Sequence, residues 1–471
     1  MVQRERFSCE FSQGQKLKTA LFAFAQTRNK QPTELISKNP KHALNQSGNS
    51  QSTLFLESHH HEDLYGSFDA LLALNPINEL RIEFSTHGDW HRLSKWQNAQ
   101  KDWCFGHLAY DFKNAEENLQ SQNPDGIGFP EAYFFVPERL FMVQDKSLTG
   151  LYHRDHAQCW PEDLRQIQII YDSLLANSDE IKADNDHKTS NYKSGVEIKG
   201  RWSFEQYREK FLQIQKHIQR GDIYETNFCQ EFYHDQAELE PYDLFERLNN
   251  HSKAPFSAFY KLDDRYALCA SPERYLNKKG KALVSQPIKG TLKRLSDSDL
   301  DKKAVVSFME NPKERRENIM ITDLVRNDLS KVAARDSVKV QELCALKSYA
   351  HVHQLVTTIT AELKDGFDAV EALKATFPMG SMTGVPKIRA LQLMDDFENH
   401  KRGLYSGTIG YFTPEGDFDF NVVIRTLLYN ATTKYLSLSV GGALTSSANA
   451  QDEYQECLLK AEALRSVLSR G

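Results

Sequence analysis

The run LVSQPIKGTLKR, residues 283–294, places a lysine directly after a short apolar strand and a proline. Pro287 fixes its own φ and stiffens the chain before Lys289. Gly290 follows, and because it has no Cβ it tolerates φ > 0 and lets the backbone approach a ligand closely. Lys289 is therefore either a solvated surface charge or a nucleophilic amine, and the rest of the sequence must distinguish the two.

The composition is that of a globular protein without an electrostatic preference for nucleic acid. The 471 residues are 40% hydrophobic and 26% charged, enough for one large domain or two, and the formal net charge is −6. No run of about 18 apolar residues predicts a membrane span. The seven cysteines form no CxxC pair, so neither a zinc site nor a disulfide framework is indicated. We expect a reduced, cytoplasmic enzyme or binding protein.

Short strand-like runs alternate with amphipathic helices, which predicts an α+β fold with antiparallel hairpins and helices packed outside. Apolar residues three or four apart predict a helix over 204–220. The run DFNVVIRTLLY, residues 419–429, is predicted to be one strand with Arg425 in its middle. The polar segment 176–200 is predicted to be a surface connection between an N-terminal part, 1–175, and the region 201–471.

Two predicted helices carry carboxylates that need an explanation. Glu317 extends the apolar face of the helix in NPKERRENIMITDLVRNDLSKVA, and a buried carboxylate needs an arginine or a divalent cation as partner. In the C-terminal helix, Glu453, Glu456 and Lys460 lie on one side. They form either a surface i,i+4 salt bridge or a Mg²⁺ ligand beside an ammonium that receives a substrate carboxylate.

Two further segments suggest an anion site. An arginine between apolar neighbours in a strand, as at Arg425, favours an anion, and its planar fork suits a carboxylate. The next strand is expected to end at Gly441, where bare backbone N–H groups can complete the same site. Glu273 in SPERY follows a strand, and alone it is better explained as a surface turn. Together these features predict a pocket for a carboxylated ligand and Mg²⁺, without specifying a reaction.

Eight motifs, in chain order, resemble those of the chorismate-utilising enzymes: SPERY, QPIKGT, RRENIMITDLVRNDL, GSMTGVPK, LYSGTIGY, NVVIRT, GGA and EYQECLLK. The resemblance is dense from about Gly221 to Lys460. It implies the chorismate-binding fold, in which two large, mostly antiparallel β-sheets pack as a sandwich with helices outside. Residues 1–175 would supply the N-terminal part of that sandwich, and residues 201–471 the catalytic region.

Lys289 distinguishes between members of this family. Anthranilate synthases carry PIAGT, whereas members that aminate chorismate at C4 carry PIKGT. The resemblance implies that Lys289 attacks C2 of chorismate as the 4-hydroxyl leaves, and that ammonia then adds at C4 and expels the lysine. The product is 4-amino-4-deoxychorismate. A lysine in a pocket near Mg²⁺ can have a lowered pKa and so attack as a free amine.

The resemblance also assigns the other roles one residue at a time. Glu273 corresponds to the general acid that protonates the departing hydroxyl, which requires a raised pKa. Glu317 and Glu456 correspond to Mg²⁺ ligands, with Glu453 acting through water. The residues that correspond to the substrate-binding positions are Gly290, Thr291, Ser381, Tyr405, Arg425, Gly441 and Lys460.

Two positions depart from the family pattern. Glu225 stands where relatives often have glutamine or lysine, and we interpret it as a salt-bridge partner rather than a proton carrier for Lys289. Gln354 stands where many members have histidine, and because an amide cannot transfer a proton we assign it no catalytic role.

No cysteine has the glycine flanks of a glutaminase nucleophile, so a separate glutamine amidotransferase subunit, or free ammonia, is expected to supply the nitrogen. The chain ends soon after EYQECLLK, so a different enzyme is expected to make 4-aminobenzoate from the product.

Two alternatives stay open. The first is an anthranilate synthase, which Lys289 argues against; the FLES run at 55–58 resembles part of the tryptophan-binding element of those enzymes and is either regulatory or structural. The second is a chorismate-binding protein without activity, which the joint presence of Lys289, Glu273, Glu317 and Glu456 argues against.

Overall fold

The computed structural model describes residues 4–30, 51–59, 61, 63–117, 119, 121–180, 196–349 and 351–469. The strands in chain order are β1 (Arg4–Glu10), β2 (Ser52–Glu57), β3 (Ala70–Ile82), β4 (Cys104–Leu108), β5 (Ala132–Gln144), β6 (Ser147–His153), β7 (Lys199–Gly200), β8 (Glu225–His234), β9 (Phe256–Leu262), β10 (Arg265–Ser271), β11 (Arg274–Lys279), β12 (Ala282–Gln286), β13 (Ile288–Lys293), β14 (Lys339–Ser348), β15 (Val352–Glu362), β16 (Gly384–Val385), β17 (Thr408–Phe412), β18 (Phe418–Asn421), β19 (Thr426–Asn430) and β20 (Tyr435–Thr445). The helices are α1 (Gly14–Lys30), α2 (Asp89–Gln100), α3 (Asn114–Glu117), α4 (Trp160–Glu180), α5 (Phe204–Arg220), α6 (Pro241–Ser252), α7 (Ser298–Met309), α8 (Pro312–Ser330), α9 (Ala369–Thr376), α10 (Lys387–Phe397) and α11 (Ala450–Ser469).

The strand pairing confirms the predicted antiparallel α+β class. Neighbouring strands run antiparallel, as in β20 beside β8 and β3 beside β5. Strands from the first 175 residues pair with later ones, since β2 lies beside β9 and β4 beside β17. The twenty strands of the described residues are joined in one hydrogen-bonded network, in which single strands such as β15 pair with several others.

The predicted single strand over 419–429 is wrong, because the chain breaks between Asn421 and Thr426. β18 pairs with β11 and β17, whereas β19 pairs with β10 and β20. The break lets the chain change partners, and Arg425 has a φ of 51° there. Alternating apolar residues continue through the break, so the sequence pattern did not reveal it.

Helix α5 confirms the helix predicted over 204–220. Ser203 and Gln206 form a capping box at its start, and Gly221, with a φ of 81°, ends it. The connection predicted at 176–200 begins instead within α4, which continues to Glu180. Residues 181–195 of that segment lie outside the described residues.

The apolar faces of two helices hold the carboxylates of interest in place. In α8, Ile321, Val325 and Leu329 are buried in the main hydrophobic cluster, which also contains Phe134 and Phe420 from the sheet. In α11, the buried residues that join a second cluster are Cys457, Ala461, Leu464, Val467 and Leu468. Burial at this density fixes both helices against the sheet. Among the described residues, no helix is long and apolar enough to cross a membrane.

Candidate active site

Lys289 lies on β13 at an irregular point in its pairing with β15. Ile288 pairs with Val356 and Thr291 with Gln354, and the register shifts between these pairs. The shift frees the Lys289 backbone from the ladder, so its carbonyl accepts a hydrogen bond from the Asn318 side chain instead, at 3.3 Å. This register shift is a β-bulge, and it changes the direction of the Lys289 side chain so that it points away from the sheet.

The Lys289 ammonium is buried beside a carboxylate. Its Nζ lies 3.1 Å from Oε1 of Glu225, a side chain that is 1% exposed. The other Glu225 oxygen has no hydrogen-bond partner in the described residues. Burial favours a lower pKa for Lys289, but attraction to Glu225 and then Glu317 outweighs it, so the pKa is raised. The salt bridge interpreted from Glu225 is confirmed, whereas the protein's own charges do not lower the lysine pKa.

Glu273 lies in the short connection between β10 and β11, held on both sides by backbone hydrogen bonds. Its N–H donates to Ser271 Oγ at 3.2 Å, and its carbonyl accepts from Val422 N–H at 3.0 Å. The side chain is buried, and burial raises its pKa to about 7, against the opposing effects of Ser381 and Lys289. A carboxyl with this pKa holds a proton near neutral pH, as the role of general acid requires.

Gly290 permits close packing beside Lys289. Its φ is 88°, and a Cβ there would lie 2.6 Å from Glu314 Oε2 and 3.0 Å from Phe308 Cζ. Because both the backbone angle and the space exclude a side chain, only glycine fits without strain.

We expect Gly290→Ala to lower the free energy of unfolding by about 2 kcal/mol, since it combines a strained φ with a displaced Glu314. Gly280→Ala is a matched control, because Gly280 has a φ of 59° but no atom within 4 Å of its Cβ position. The control should lose only about 1 kcal/mol in urea denaturation. Equal losses in the two variants would show that the packing against Glu314 is unimportant.

Glu317, predicted on the buried face of α8, is buried and has no arginine partner in the described residues. The nearest cation to its Oε1 is Lys313 Nζ at 3.9 Å, and this oxygen has no hydrogen-bond partner in the described residues. Burial raises the Glu317 pKa to about 7, although Lys289 opposes the rise. The carboxylate is thus poorly compensated by the protein itself.

The helix α11 brings two more carboxylates to the same region. These two are Glu453 and Glu456. Burial and then the charge of Glu456 raise the pKa of Glu453, and they also raise the pKa of Glu314 on α8. Glu456 itself has a lowered pKa, because Lys460 Nζ lies 2.8 Å from its Oε1. The i,i+4 salt bridge considered from the sequence is therefore present.

These carboxylates are suitable ligands for Mg²⁺. Glu317 and Glu456 offer oxygens, and burial raises the pKa values of Glu317, Glu314 and Glu453, with nearby carboxylates adding to the rise. No group of three or more potential metal-ligating side chains in the described residues is close enough to hold an ion by itself. Mg²⁺ commonly uses only one or two protein carboxylates, with water and substrate oxygens completing its shell.

Arg425 and Ser381 supply unpaired polar groups near Glu273. The Arg425 guanidinium makes no hydrogen bond or ion pair within the described residues, and burial lowers its pKa. The charge of Glu273 acts on Arg425, but the two side chains are not hydrogen-bonded. The buried Ser381 hydroxyl also lacks a partner at hydrogen-bond length in the described residues, although it faces Glu273 closely enough to influence the pKa of that carboxyl. A half-buried guanidinium and a buried hydroxyl, both unpaired in the described residues, indicate a ligand site.

The remaining predicted substrate residues lie in three separate places. Lys460 Nζ donates to the Gly441 carbonyl at 2.8 Å, which joins these two positions. Thr291, although exposed, accepts a hydrogen bond from Gln354 Nε2 at 3.3 Å. The Tyr405 hydroxyl is buried, and its described contact is with Cys229 Sγ at 4.0 Å.

The strand end predicted at Gly441 is wrong, because β20 runs through it to Thr445. Gly441 pairs with Cys229 of β8. A Cβ on Gly441 would lie 2.7 Å from Cys229 Sγ, so close side-chain packing rather than a strand end explains this glycine.

Two residues that shape the site were not predicted from the sequence. Asn318 donates to the carbonyls of Lys289 and Leu355, both at 3.3 Å, and accepts from Thr357 Oγ1 at 2.5 Å. Lys313 lies between Glu317 and Glu453. The i,i+4 spacing of Lys313 and Glu317 was readable in the sequence, but the contact between helices was not.

Two cavities adjoin these elements. One, of about 10 Å³, lies behind Glu273 and is lined by Thr376, Asp328 and Ser381. It is about large enough for one water. The other, of about 70 Å³, is lined by Glu57 of the FLES run and by Arg274. Its volume is well below the roughly 300 Å³ at which typical ligand pockets begin. The choice between a regulatory and a structural role for FLES stays open.

Fold and site together define the class of protein. Residues 22–466 match the family described as chorismate binding enzyme, and the chain belongs to that family. Among its relatives, the chain is 43% identical over 253 residues to aminodeoxychorismate synthase component 1 of Salmonella typhimurium, covering 53% of this chain and 55% of the relative. It is 40% identical over 354 residues to the protein of the same name from Klebsiella aerogenes, covering 75% of this chain and 74% of the relative.

A solved structure gives the same fold. The crystal structure of anthranilate synthase component I from Streptococcus pneumoniae superposes with a TM-score of 0.70 at 24% identity, covering 86% of this chain and 94% of that one. At this identity the similarity shows the fold alone. The match to the Salmonella protein spans little more than half the length of that relative.

Proposed function

We propose that this chain aminates chorismate at C4, acting as an aminodeoxychorismate synthase component 1. The observation that carries this proposal is Lys289, an amine in a buried site, with Nζ 3.1 Å from Glu225. The charges of Glu273 and Glu317 also act on it. Two relatives at 40–43% identity bear this name. An anthranilate synthase that carries alanine at this position would have no such nucleophile.

The first step forms a bond between Lys289 Nζ and C2 of chorismate. Lys289 must first lose a proton to solvent, while Glu225, its salt-bridge partner at 3.1 Å, holds the amine in place. As the C2–N bond forms, the ring double bonds shift and the C4–O bond breaks. The Glu273 carboxyl gives its proton to the departing hydroxyl, which leaves as water. The raised pKa of Glu273, about 7, supports this role.

The second step reverses the attachment. Ammonia forms a bond to C4, the double bonds shift back, and the C2–N bond breaks, so Lys289 leaves as a neutral amine. The product carries the new nitrogen as an ammonium group. Arg425 and Lys460 supply cationic groups for the two carboxylates of chorismate, which suits the unpaired state of Arg425. Splitting one substitution into two steps through a covalent intermediate is the usual advantage of a nucleophilic residue.

Glu317 and Glu456 would hold Mg²⁺, with Glu453 acting through water. Bound there, the ion would supply positive charge that holds a substrate carboxylate and offsets the negative charge near Lys289. That charge would lower the pKa of Lys289, as amine attack requires, whereas the protein's own charges raise it.

A second component is part of the proposal. The relatives are named component 1, which implies a partner chain. We propose that a glutamine amidotransferase subunit supplies the ammonia. The product would then serve 4-aminobenzoate and folate biosynthesis through a separate enzyme.

Product identification tests the proposal. The purified chain is incubated with chorismate, MgCl₂ and an ammonium salt, and the product is identified by mass and chromatography. We expect 4-amino-4-deoxychorismate, formed only when ammonium is present. Anthranilate as product, or chorismate recovered unchanged, would contradict the assignment.

A further inference from the structure

Lys313 is a cation placed among the carboxylates of the proposed metal site. It lies on the first turn of α8, which Asn311 caps by accepting from the Lys313 and Glu314 N–H groups. Its Nζ is 3.0 Å from Glu453 Oε1 and 3.9 Å from Glu317 Oε1. One ammonium thus bridges carboxylates from two different helices.

The environment of this bridge differs from that of an ordinary surface pair. The Glu453 and Glu317 side chains are only 2% and 10% exposed, whereas Lys313 is 38% exposed. A typical surface pair on the same helix, Arg326 with Asp323, is 52% and 63% exposed. Ion pairs of the exposed kind contribute little, but a buried carboxylate depends strongly on its counter-ion.

Glu453 has little freedom to find another partner. The bond from Lys313 is the one hydrogen bond that its carboxylate makes within the described residues. Its other oxygen packs against Gly442, where a Cβ would lie 2.9 Å away. Lys313, in contrast, is half-exposed and sits at the end of a flexible side chain, so the lysine is the member of the pair that can move.

We propose that Lys313 is a displaceable counter-ion that competes with Mg²⁺ for the carboxylates of Glu317 and Glu453. This inference rests on the proposed function, which places Mg²⁺ beside these residues. A divalent ion entering the cluster repels the ammonium, so part of its binding free energy is used to move Lys313 away. Mg²⁺ therefore binds weakly until chorismate is present.

Chorismate changes this balance in two ways. Its carboxylate oxygens can complete the metal shell, and they also offer Lys313 a new anionic partner. Linkage requires that the effect be reciprocal, so Mg²⁺ and chorismate each raise the affinity for the other. Lys313 is in this account a positioning residue that couples the two ligands.

The test measures Mg²⁺ binding directly. MgCl₂ is titrated by isothermal calorimetry into chelator-treated wild-type protein and Lys313→Met, with and without chorismate and with ammonia absent. Without chorismate, we expect the Lys313→Met Kd for Mg²⁺ to be lower by roughly tenfold. The ratio of Kd values without and with chorismate should shrink in the variant by a similar factor.

Three further variants sharpen the result. Arg326→Met removes one positive charge from the same helix away from the cluster and should bind Mg²⁺ like wild type. Lys313→Arg keeps the charge and should also resemble wild type. If Lys313→Met does not fold, Lys313→Gln removes the charge while keeping a donor for Glu453, and the same tighter binding is expected.

Equal or weaker Mg²⁺ binding in the uncharged Lys313 variants would overturn the inference. An equal gain in Arg326→Met would also overturn it, because the effect would then be general to the protein charge. Absence of Mg²⁺ binding in every variant with chorismate present would overturn both this inference and the metal role of Glu317. Amination at C4 would still be judged separately by the product assay.

Discussion

Lys289→Ala is expected to abolish the covalent adduct with chorismate and to lower C4 amination by on the order of 10³-fold or more. The methyl group of alanine cannot attack C2, and ammonia would have to displace the 4-hydroxyl in one step. The substitution also leaves the buried Glu225 carboxylate without its 3.1 Å partner. Intact-protein mass spectrometry after mixing with chorismate and MgCl₂ measures the adduct, and ammonium-dependent turnover measures the rate.

Lys293→Ala is the matched control for this variant. Lys293 lies on the same strand, β13, and its side chain is exposed. We expect the control to form the adduct and the product at wild-type rates. An adduct that persists in Lys289→Ala would exclude Lys289 as the nucleophile.

Glu273→Gln is expected to slow adduct formation by about 10²–10⁴-fold, since an amide has no acidic proton for the departing hydroxyl. The ratio of the wild-type rate to the Glu273→Gln rate should fall above pH 7, because protonated Glu273, with a pKa of about 7, then declines about tenfold per pH unit, whereas the titration of Lys289 is common to both proteins. Single-turnover adduct formation without ammonia isolates this step from the titration of ammonium. Exposed Glu310→Gln serves as control and should change neither rate nor profile.

Protein stability gives an independent check of the same pKa. The Glu273 pKa rises from 4.5 to about 7 on folding, so the folded state binds more protons than the unfolded state between these values. The stability contribution of this group is therefore fully present below pH 4.5 and is lost as pH rises through 7, by up to about 3 kcal/mol. Glu273→Gln should thus gain stability relative to wild type as pH rises. A difference that is constant with pH would contradict the raised pKa.

Local periodicity predicted several elements of the fold from the sequence. The apolar spacing of 204–220 gave the bounds of α5, because one face of that helix packs on the core. The prediction of one strand over 419–429 was wrong because alternating apolar residues indicate which side chains are buried, not which strands are neighbours. The break before Arg425 arises from a change of partners, which is a property of the whole sheet.

The site was predicted in part. The resemblance implied a raised pKa at Glu273, and the structure has it, because burial outweighs the nearby cations. Glu225 was interpreted as an ion-pair partner, and it pairs with Lys289. The roles of Glu317 and Glu456 as Mg²⁺ ligands stay predictions.

The features of the site that the sequence could not predict depend on contacts between elements that are distant in the chain. Lys313 of α8 contacts Glu453 of α11, although the two residues lie 140 positions apart in the chain, so no local spacing could predict the contact. Asn318 contacts the Lys289 carbonyl only because a register shift frees it. The direction of the Lys289 pKa shift also depends on contacts between distant elements, since the charges of Glu225 and Glu317 oppose the effect of burial.

A pulse–chase experiment on Lys289 tests the central claim most directly. Wild-type protein is mixed with chorismate and MgCl₂ without ammonia, then chased with ammonium, and digested samples are mapped by mass spectrometry. We expect the peptide containing Lys289 to gain the mass of chorismate less one water, and ammonium to discharge it as 4-amino-4-deoxychorismate. Product that forms without label ever appearing on Lys289, or a label that ammonium does not discharge, would contradict it.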